Sequence, residues 1–194
     1  MRPRLLAAAG LGACVLAGCA DSDEVEPRGN MTLEEARRFE GFPLYFPGEA
    51  VGDLQLEAIV RTRYSSPRPH TQITFLYGTC EARSDAGCSA PLHVLVWPEC
   101  YRFDTRYSIP QPERITVRGV PGRLRTGAEG RSPRLELYPA KSTVVLNDFS
   151  GGELGSLVHL ATRLRGLNVP TSRSEDLPDR QPRTARVDSC RRTT

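Results

Sequence analysis

The sequence predicts an α+β domain: a mostly antiparallel sheet, with a short N-terminal helix and a longer C-terminal helix packed on one face. Three observations predict it. Apolar and polar residues alternate in a series of short segments between residues 54 and 147. Clusters of Gly, Pro, Ser and Asp separate these segments. Helix-start signals stand only at the two ends of the region.

Taken in order, Thr32-Leu33-Glu34-Glu35 has the form of a capping box, in which a hydroxyl and a carboxylate satisfy the free amides of a first turn. A short helix is expected from Leu33 to Glu40, stopped at Gly41, with Phe42 packed back over its last turn. Leu44-Tyr45-Phe46 reads as a brief strand, turned by Pro47-Gly48. Leu54–Arg61 alternates for most of its length. Thr71–Tyr77 puts Ile73, Phe75 and Tyr77 on one side, and Pro91–Trp97 does the same with Leu92, Val94 and Val96. Further strands are expected at Arg114–Val117, Arg123–Arg125, Leu135–Tyr138 and Thr143–Asn147, with Gly119-Val120-Pro121-Gly122 as a hairpin turn. The last element is the longest helix. Ser150-Gly151-Gly152-Glu153 caps it, Leu154, Leu157, Ala161 and Leu164 form its apolar stripe, Gly166 ends it, and Pro170 blocks a restart.

Ahead of this body, Met1-Arg2-Pro3-Arg4 is basic, and Leu5–Gly18 carries no charge. At about fourteen residues the apolar run is short of the roughly twenty that span a bilayer. It ends in Leu16-Ala17-Gly18-Cys19. In these four residues the chain resembles the bacterial prolipoproteins, whose lipobox places Leu and two small residues before an obligatory Cys. The resemblance implies that the Cys19 thiol takes a diacylglyceryl group and that a signal peptidase cuts between Gly18 and Cys19. The product is held in the lipid bilayer at the extracytoplasmic face of the cell membrane, since two acyl chains suffice for stable anchoring. The expected organisation is a signal peptide (1–18), a lipidated acidic tether (19–30), one domain (31–169) and a disordered tail (170–194).

Trimmed at Cys19, the chain carries 24 basic and 23 acidic residues, and Lys141 is its single lysine. A near-neutral body in that compartment excludes nucleic acid as a partner. Besides Cys19, the cysteines of the mature chain are Cys80, Cys88, Cys100 and Cys190. An even set in an oxidising compartment points to disulfides, and four cysteines permit three pairings. The polar linker Glu81–Ala86 reads as a hairpin tip, which sets Cys80 opposite Cys88 and leaves Cys100 for Cys190. A Cys88–Cys100 link would overturn both assignments. The absence of any Cys-x-x-Cys pair argues against a metal. The stretch Tyr77-Gly78-Thr79-Cys80 with Gly87-Cys88-Ser89-Ala90-Pro91-Leu92 also resembles a pattern in uncharacterised lipoproteins of high-GC Gram-positive bacteria, which implies location and fold but no activity.

No residue set has the spacing of a known catalyst. His70 lies in a turn-like stretch, His93 faces away from Leu92 and Val94, and His159 falls off the stripe of the last helix. No Gly-x-Ser-x-Gly, Ser-x-x-Lys or zinc-protease motif occurs. Glu99 and Asp104, beside Trp97, Tyr101 and Phe103, are the nameable pair for a glycan hydrolase, although these aromatics also suit a strand end in a core. The sequence therefore favours a non-enzymatic lipoprotein, without cofactor, that binds a protein or small-molecule ligand. Its alternatives are an accessory subunit of an envelope complex and a glycan hydrolase. A cavity between sheet and last helix would point to a ligand, and a flat apolar patch to a protein partner.

Overall fold

The computed structural model describes residues 29–65, 69–79, 81–83, 87–99, 111–127, 131–151 and 156–169, with the backbone alone for 81–83, 87 and 88. The chain enters as a strand, β1 (Gly29–Met31), two residues inside the stretch expected to be tether. The capping box then forms as its residues dictate. The Glu35 amide donates to Thr32 Oγ1 at 3.2 Å, and the Thr32 amide donates to Glu35 Oε2 at 2.7 Å, which holds the Glu35 carboxyl below its ordinary value. Helix α1 (Leu33–Arg37) is shorter than expected, because Arg38 already caps it. Phe42 does fold back, its ring edge-on to Phe39 at 4.9 Å. Strands β2 (Tyr45–Phe46) and β3 (Ala50–Val51) follow.

The sheet is built from β4 (Leu54–Tyr64), β5 (His70–Tyr77), β8 (Leu92–Pro98), β9 (Glu113–Val117), β10 (Val120–Arg125), β11 (Arg134–Leu137) and β12 (Ser142–Asp148). A separate ribbon, β6 (Glu81–Arg83) with β7 (Gly87–Ser89), extends the hairpin between β5 and β8. The strand order is β1-β4-β5-β8-β12-β11-β10-β9, with β3 on the edge of β4, and every neighbouring pair is antiparallel. One meander runs inward from β4 and a second from β9. They meet at β8 and β12.

Local chemistry sets the register. The β9–β10 turn is the two-residue Arg118-Gly119, with φ of 49° and 80°. That geometry matches the twist of the strands it joins, so the turn precedes the expected site and Val120 is already paired. In β4 a bulge between Leu56 and Ala58 shifts the alternation by one residue. Leu54 and Leu56 therefore pack against the same core as Ile59, although sequence parity separates them.

The first face of the sheet carries the core. Ile59, Ile73, Phe75, Tyr77, Leu92, Val94, Val96, Leu135, Leu137, Val144 and Leu146 are all buried there. Phe42, Leu44, Tyr45 and Phe46 cover one part and helix α2 (Leu157–Thr162) another, with Leu157, Leu160, Ala161 and Leu164 turned inward. Tyr77 Oη donates to the Gly48 carbonyl at 2.7 Å, and Ser142 Oγ to that of Pro43 at 2.6 Å.

The expected long C-terminal helix is corrected here: among the described residues the fold is a mostly antiparallel sheet with two short helices. Glu153 and Leu154 of the expected helix lie outside the described residues, and Ser150 closes a local turn. Its amide and hydroxyl both donate to Asp148 Oδ1, and Gly151 turns the chain at φ 81°. The helix starts only after Ser156 and ends at Arg163. Tertiary hydrogen bonds outweigh helical periodicity there. Arg118 Nη1 donates to the carbonyls of Thr162 and Leu164, at 3.2 and 2.9 Å. Strand β13 (Arg165–Gly166) pairs with β2, so Gly166, the expected helix stop, lies in a strand. Asn168 fastens this return, accepting from the Leu44 amide at 2.7 Å and donating to the carbonyls of Phe39 and Phe42.

Candidate functional site

Because the core residues of each strand point to the first face, their sequence neighbours point to the second. Strand pairing arranges these neighbours in rows. One row reads Arg114, Arg123, Glu136, Val145, Leu95, Thr74 and Val60, from β9 across to β4. The next reads Arg125, Arg134, Asn147, His93, Leu76 and Ala58. Trp97 and Thr143 lie opposite each other in a third. The second face is thus apolar and hydroxylic over β4, β5, β8 and β12, and cationic over β9, β10 and β11.

The electrostatics are lopsided. Glu136 is only 3 % exposed, and both its oxygens are engaged, one by Arg134 Nη2 at 2.8 Å and the other by the Tyr138 hydroxyl at 2.9 Å. Arg114 stands directly opposite Arg123, and Arg125 directly opposite Arg134. Like charges in facing positions destabilise a sheet. Burial, with the guanidiniums of Arg134 and Arg131, pulls Arg125 below its ordinary value despite the opposing pull of Glu136.

At separate places on this face, polar atoms are buried without partners. Thr143 is 0 % exposed and its hydroxyl makes no hydrogen bond; Nε2 of His93 and Nε of Arg125 are also enclosed and unpaired. The His93 ring lies 4.7 Å from Phe149, and burial holds the imidazole below its ordinary value. An orphaned buried polar group costs about 1–3 kcal/mol, so groups of this kind mark positions completed by water or a ligand.

The residues singled out from sequence fall as follows. His93 faces away from Leu92 and Val94 as expected, His70 stacks on Tyr64 at 4.8 Å, and His159 is exposed. Trp97 is buried, and Glu99 is half-buried with its amide donating to the Lys141 carbonyl at 3.2 Å. Asp104, Tyr101 and Phe103 lie outside the described residues, and so does the Glu99–Asp104 pairing. Also outside are Cys19, Gly18, Cys80, Cys100 and Cys190, hence the lipidation site and both disulfide assignments. Of the cysteines the backbone of Cys88 is described. The β6–β7 register pairs Cys88 with Ala82. It is offset by one residue from that of β5–β8, where Gly78, at φ 79°, gives its amide to Gln55 instead. Sequence reasoning missed Arg114, Arg123, Arg125, Arg134 and Thr143. The alternation that located the apolar residues of these strands also places the arginines together, once it is read for the opposite face.

Among the described residues no helix is long and apolar enough to cross a membrane, and no cluster of three or more His, Cys, Asp or Glu could hold a metal ion. No protein-family model, curated protein or solved structure matches the chain.

Proposed function

We propose that this chain is an exported lipoprotein, held at the extracytoplasmic face of the membrane through acylated Cys19, whose β-sheet body is a non-enzymatic binding module. The anchor rests on the lipobox Leu16-Ala17-Gly18-Cys19. The binding role is carried by one observation: the second face encloses a Thr143 hydroxyl, a His93 nitrogen and an Arg125 nitrogen that nothing in the fold satisfies. The space between sheet and α2, by contrast, is filled by Leu157, Leu160, Ala161 and Leu164. The ligand therefore belongs on the second face, against the β8–β12 pair that carries His93 and Thr143.

Mass spectrometry of the full chain, extracted from membranes in mild detergent, tests both halves. The expected N-terminal peptide begins at Cys19 and carries a diacylglyceryl adduct. Under native conditions the intact protein retains a non-covalent ligand, which a His93→Leu, Thr143→Val double variant loses. An intact leader or an unmodified Cys19 contradicts the anchor. A protein that carries nothing, or a double variant that retains the same adduct, contradicts the binding site.

A further inference from the structure

The sheet has two edges, and the chain treats them differently. At one edge β4 is overlaid by two very short strands, β1 of three residues and β3 of two. Very short edge strands are one way in which proteins keep a sheet from adding another chain. At the other edge stands β9, five residues long, which among the described residues pairs with β10 alone. It contains no Pro, no Lys and no bulge, and Ile115, Thr116 and Val117 are β-branched. The strand is also held in place before any pairing. Val117 is buried, and Arg118 just beyond it is tied to the carbonyls of Thr162 and Leu164.

Register decides which groups this edge offers. The two-residue turn Arg118-Gly119 makes Val117 and Val120 a hydrogen-bonded pair, and every second pair from there, Ile115 with Gly122 and Glu113 with Leu124, is bonded as well. Arg114 and Thr116 therefore turn their amides and carbonyls away from β10. Pro121, which has no amide to give, stands opposite Thr116, in keeping with this phase. A second copy of the chain can meet those groups about a two-fold axis centred on Arg114, Ile115 or Thr116. Centred on Arg114, the pairing sets that residue against itself; centred on Thr116, it sets Arg114 against Arg118 of the other copy. Like charges directly opposite each other oppose pairing. Centred on Ile115, it sets Arg114 against Thr116 in both directions, so that each pair exchanges both main-chain bonds, and Ile115 lies against Ile115. That register uses every outward group of β9. Ile115 is half-buried on the first face, as is Leu124 of the adjoining strand. The two-fold axis runs normal to the sheet, so these apolar rims adjoin on one side. We propose that β9 is a self-association edge, through which two copies of this chain pair antiparallel about Ile115 into one continuous sheet. Five residues bury less than the roughly 800 Å² per partner typical of a stable complex, so the pairing is a weak one, read at high protein concentration.

Disulfide cross-linking of the full chain, concentrated in mild detergent, tests the register. In a non-bonded antiparallel pair the Cα atoms lie about 4.5 Å apart, within disulfide reach. Ile115→Cys is therefore expected to join two copies under mild oxidation, through a 115-to-115 peptide identified by mass spectrometry. Glu113→Cys is expected not to, because residue 113 stands opposite Val117 of the other copy, about 13 Å along the strand from its own equivalent. Copies joined at 113 as readily as at 115, or at neither, overturn the proposal. Sedimentation equilibrium then reads the affinity. Thr116→Pro removes an amide that the single copy does not use, and is expected to weaken association about tenfold or more with the thermal midpoint unchanged. Should Thr116→Pro disturb β9 itself, Thr116→Lys keeps the amide and sets like charges opposite each other, and a similar weakening is expected. Association that neither variant weakens, or a wild type that is monomeric at every concentration reached, contradicts self-pairing. The adduct lost in the His93→Leu, Thr143→Val variant reports on the second face alone, so the binding module and the self-association edge fail independently.

Discussion

The two faces of the sheet are built from the same strands, in an alternation broken only by the bulge in β4 among the described pairings, yet their composition differs sharply. On the first face large apolar side chains from β4, β5, β8, β11 and β12 are covered by the chain's own β2, β13 and α2, and the buried hydroxyls of Tyr77 and Ser142 both find backbone carbonyls. On the second face the Thr143 hydroxyl goes without, and arginines oppose arginines. Buried polar atoms without partners are not confined to the second face, since Arg61 Nε and Asp148 Oδ2, opposite Ile73 and Leu92, are among them. The difference lies in what each face is made of: the first joins the apolar core to the chain's own cover, and the second sets arginines opposite arginines.

The largest expected effect is on the first face. Phe75 is fully buried with its ring 5.6 Å from that of Phe46, so Phe75→Ala should cost about 3–5 kcal/mol in urea denaturation. A loss below about 1 kcal/mol would erase the distinction between the faces. Next comes Gly122, whose place opposite Leu137 leaves no room for a Cβ, because it would overlap the Glu136 carbonyl oxygen. Gly122→Ala is expected to lose about 1–3 kcal/mol, read as a lowered midpoint with an unchanged urea slope. Asn168→Ala removes the clamp between the C-terminal return and α1–β2 and should cost about 2 kcal/mol. Hydrogen exchange in that variant should rise first in residues 44–46 and 165–167, and exchange rising evenly throughout would argue against a local clamp.

The two faces also titrate at opposite ends of the pH scale. Burial pushes Tyr45 up to about 12 and Tyr77 further in the same direction. Both phenols stay protonated in the fold while the unfolded chain ionises near pH 10, so their contribution is complete below pH 10 and is lost as pH rises toward 12. His93 behaves in the reverse sense. Its imidazole is held below its ordinary value, so the unfolded chain takes up the proton first, and stability falls as pH drops below about 6.5. Thermal midpoints across the range should decline on both sides, and His93→Leu should flatten the acid limb alone. The smallest effect is that of Thr143→Val, which exchanges an unsatisfied hydroxyl for a methyl and should leave stability within about 0.5 kcal/mol of wild type or above it. A clear loss would mean that the hydroxyl is satisfied in solution.

Much of this fold was legible in the sequence, because period-two alternation is a local signal. Ile73, Phe75 and Tyr77, or Leu92, Val94 and Val96, declare one face without any knowledge of their neighbours, and Thr32 and Glu35 declare a helix start. The C-terminal helix was misjudged because its limits are set from afar: Arg118 holds the carbonyls of Thr162 and Leu164, and Tyr45 and Phe46 draw residues 165 and 166 into a strand. The phase shift in β4 escaped for a related reason, since a bulge is fixed by the partner strand. Little of the candidate site could be read in advance. Arg123 and Arg125 declare a shared face, but only the turn at Arg118-Gly119 brings Arg114 alongside, and only the β10–β11 register brings Arg134.

The central claim is that the second face is kept for a ligand, and native mass spectrometry of the full chain, extracted in mild detergent, tests it most directly. The account predicts a non-covalent adduct on the wild type that the His93→Leu, Thr143→Val double variant loses. A wild type that carries nothing, or a double variant that keeps the same adduct, would contradict it.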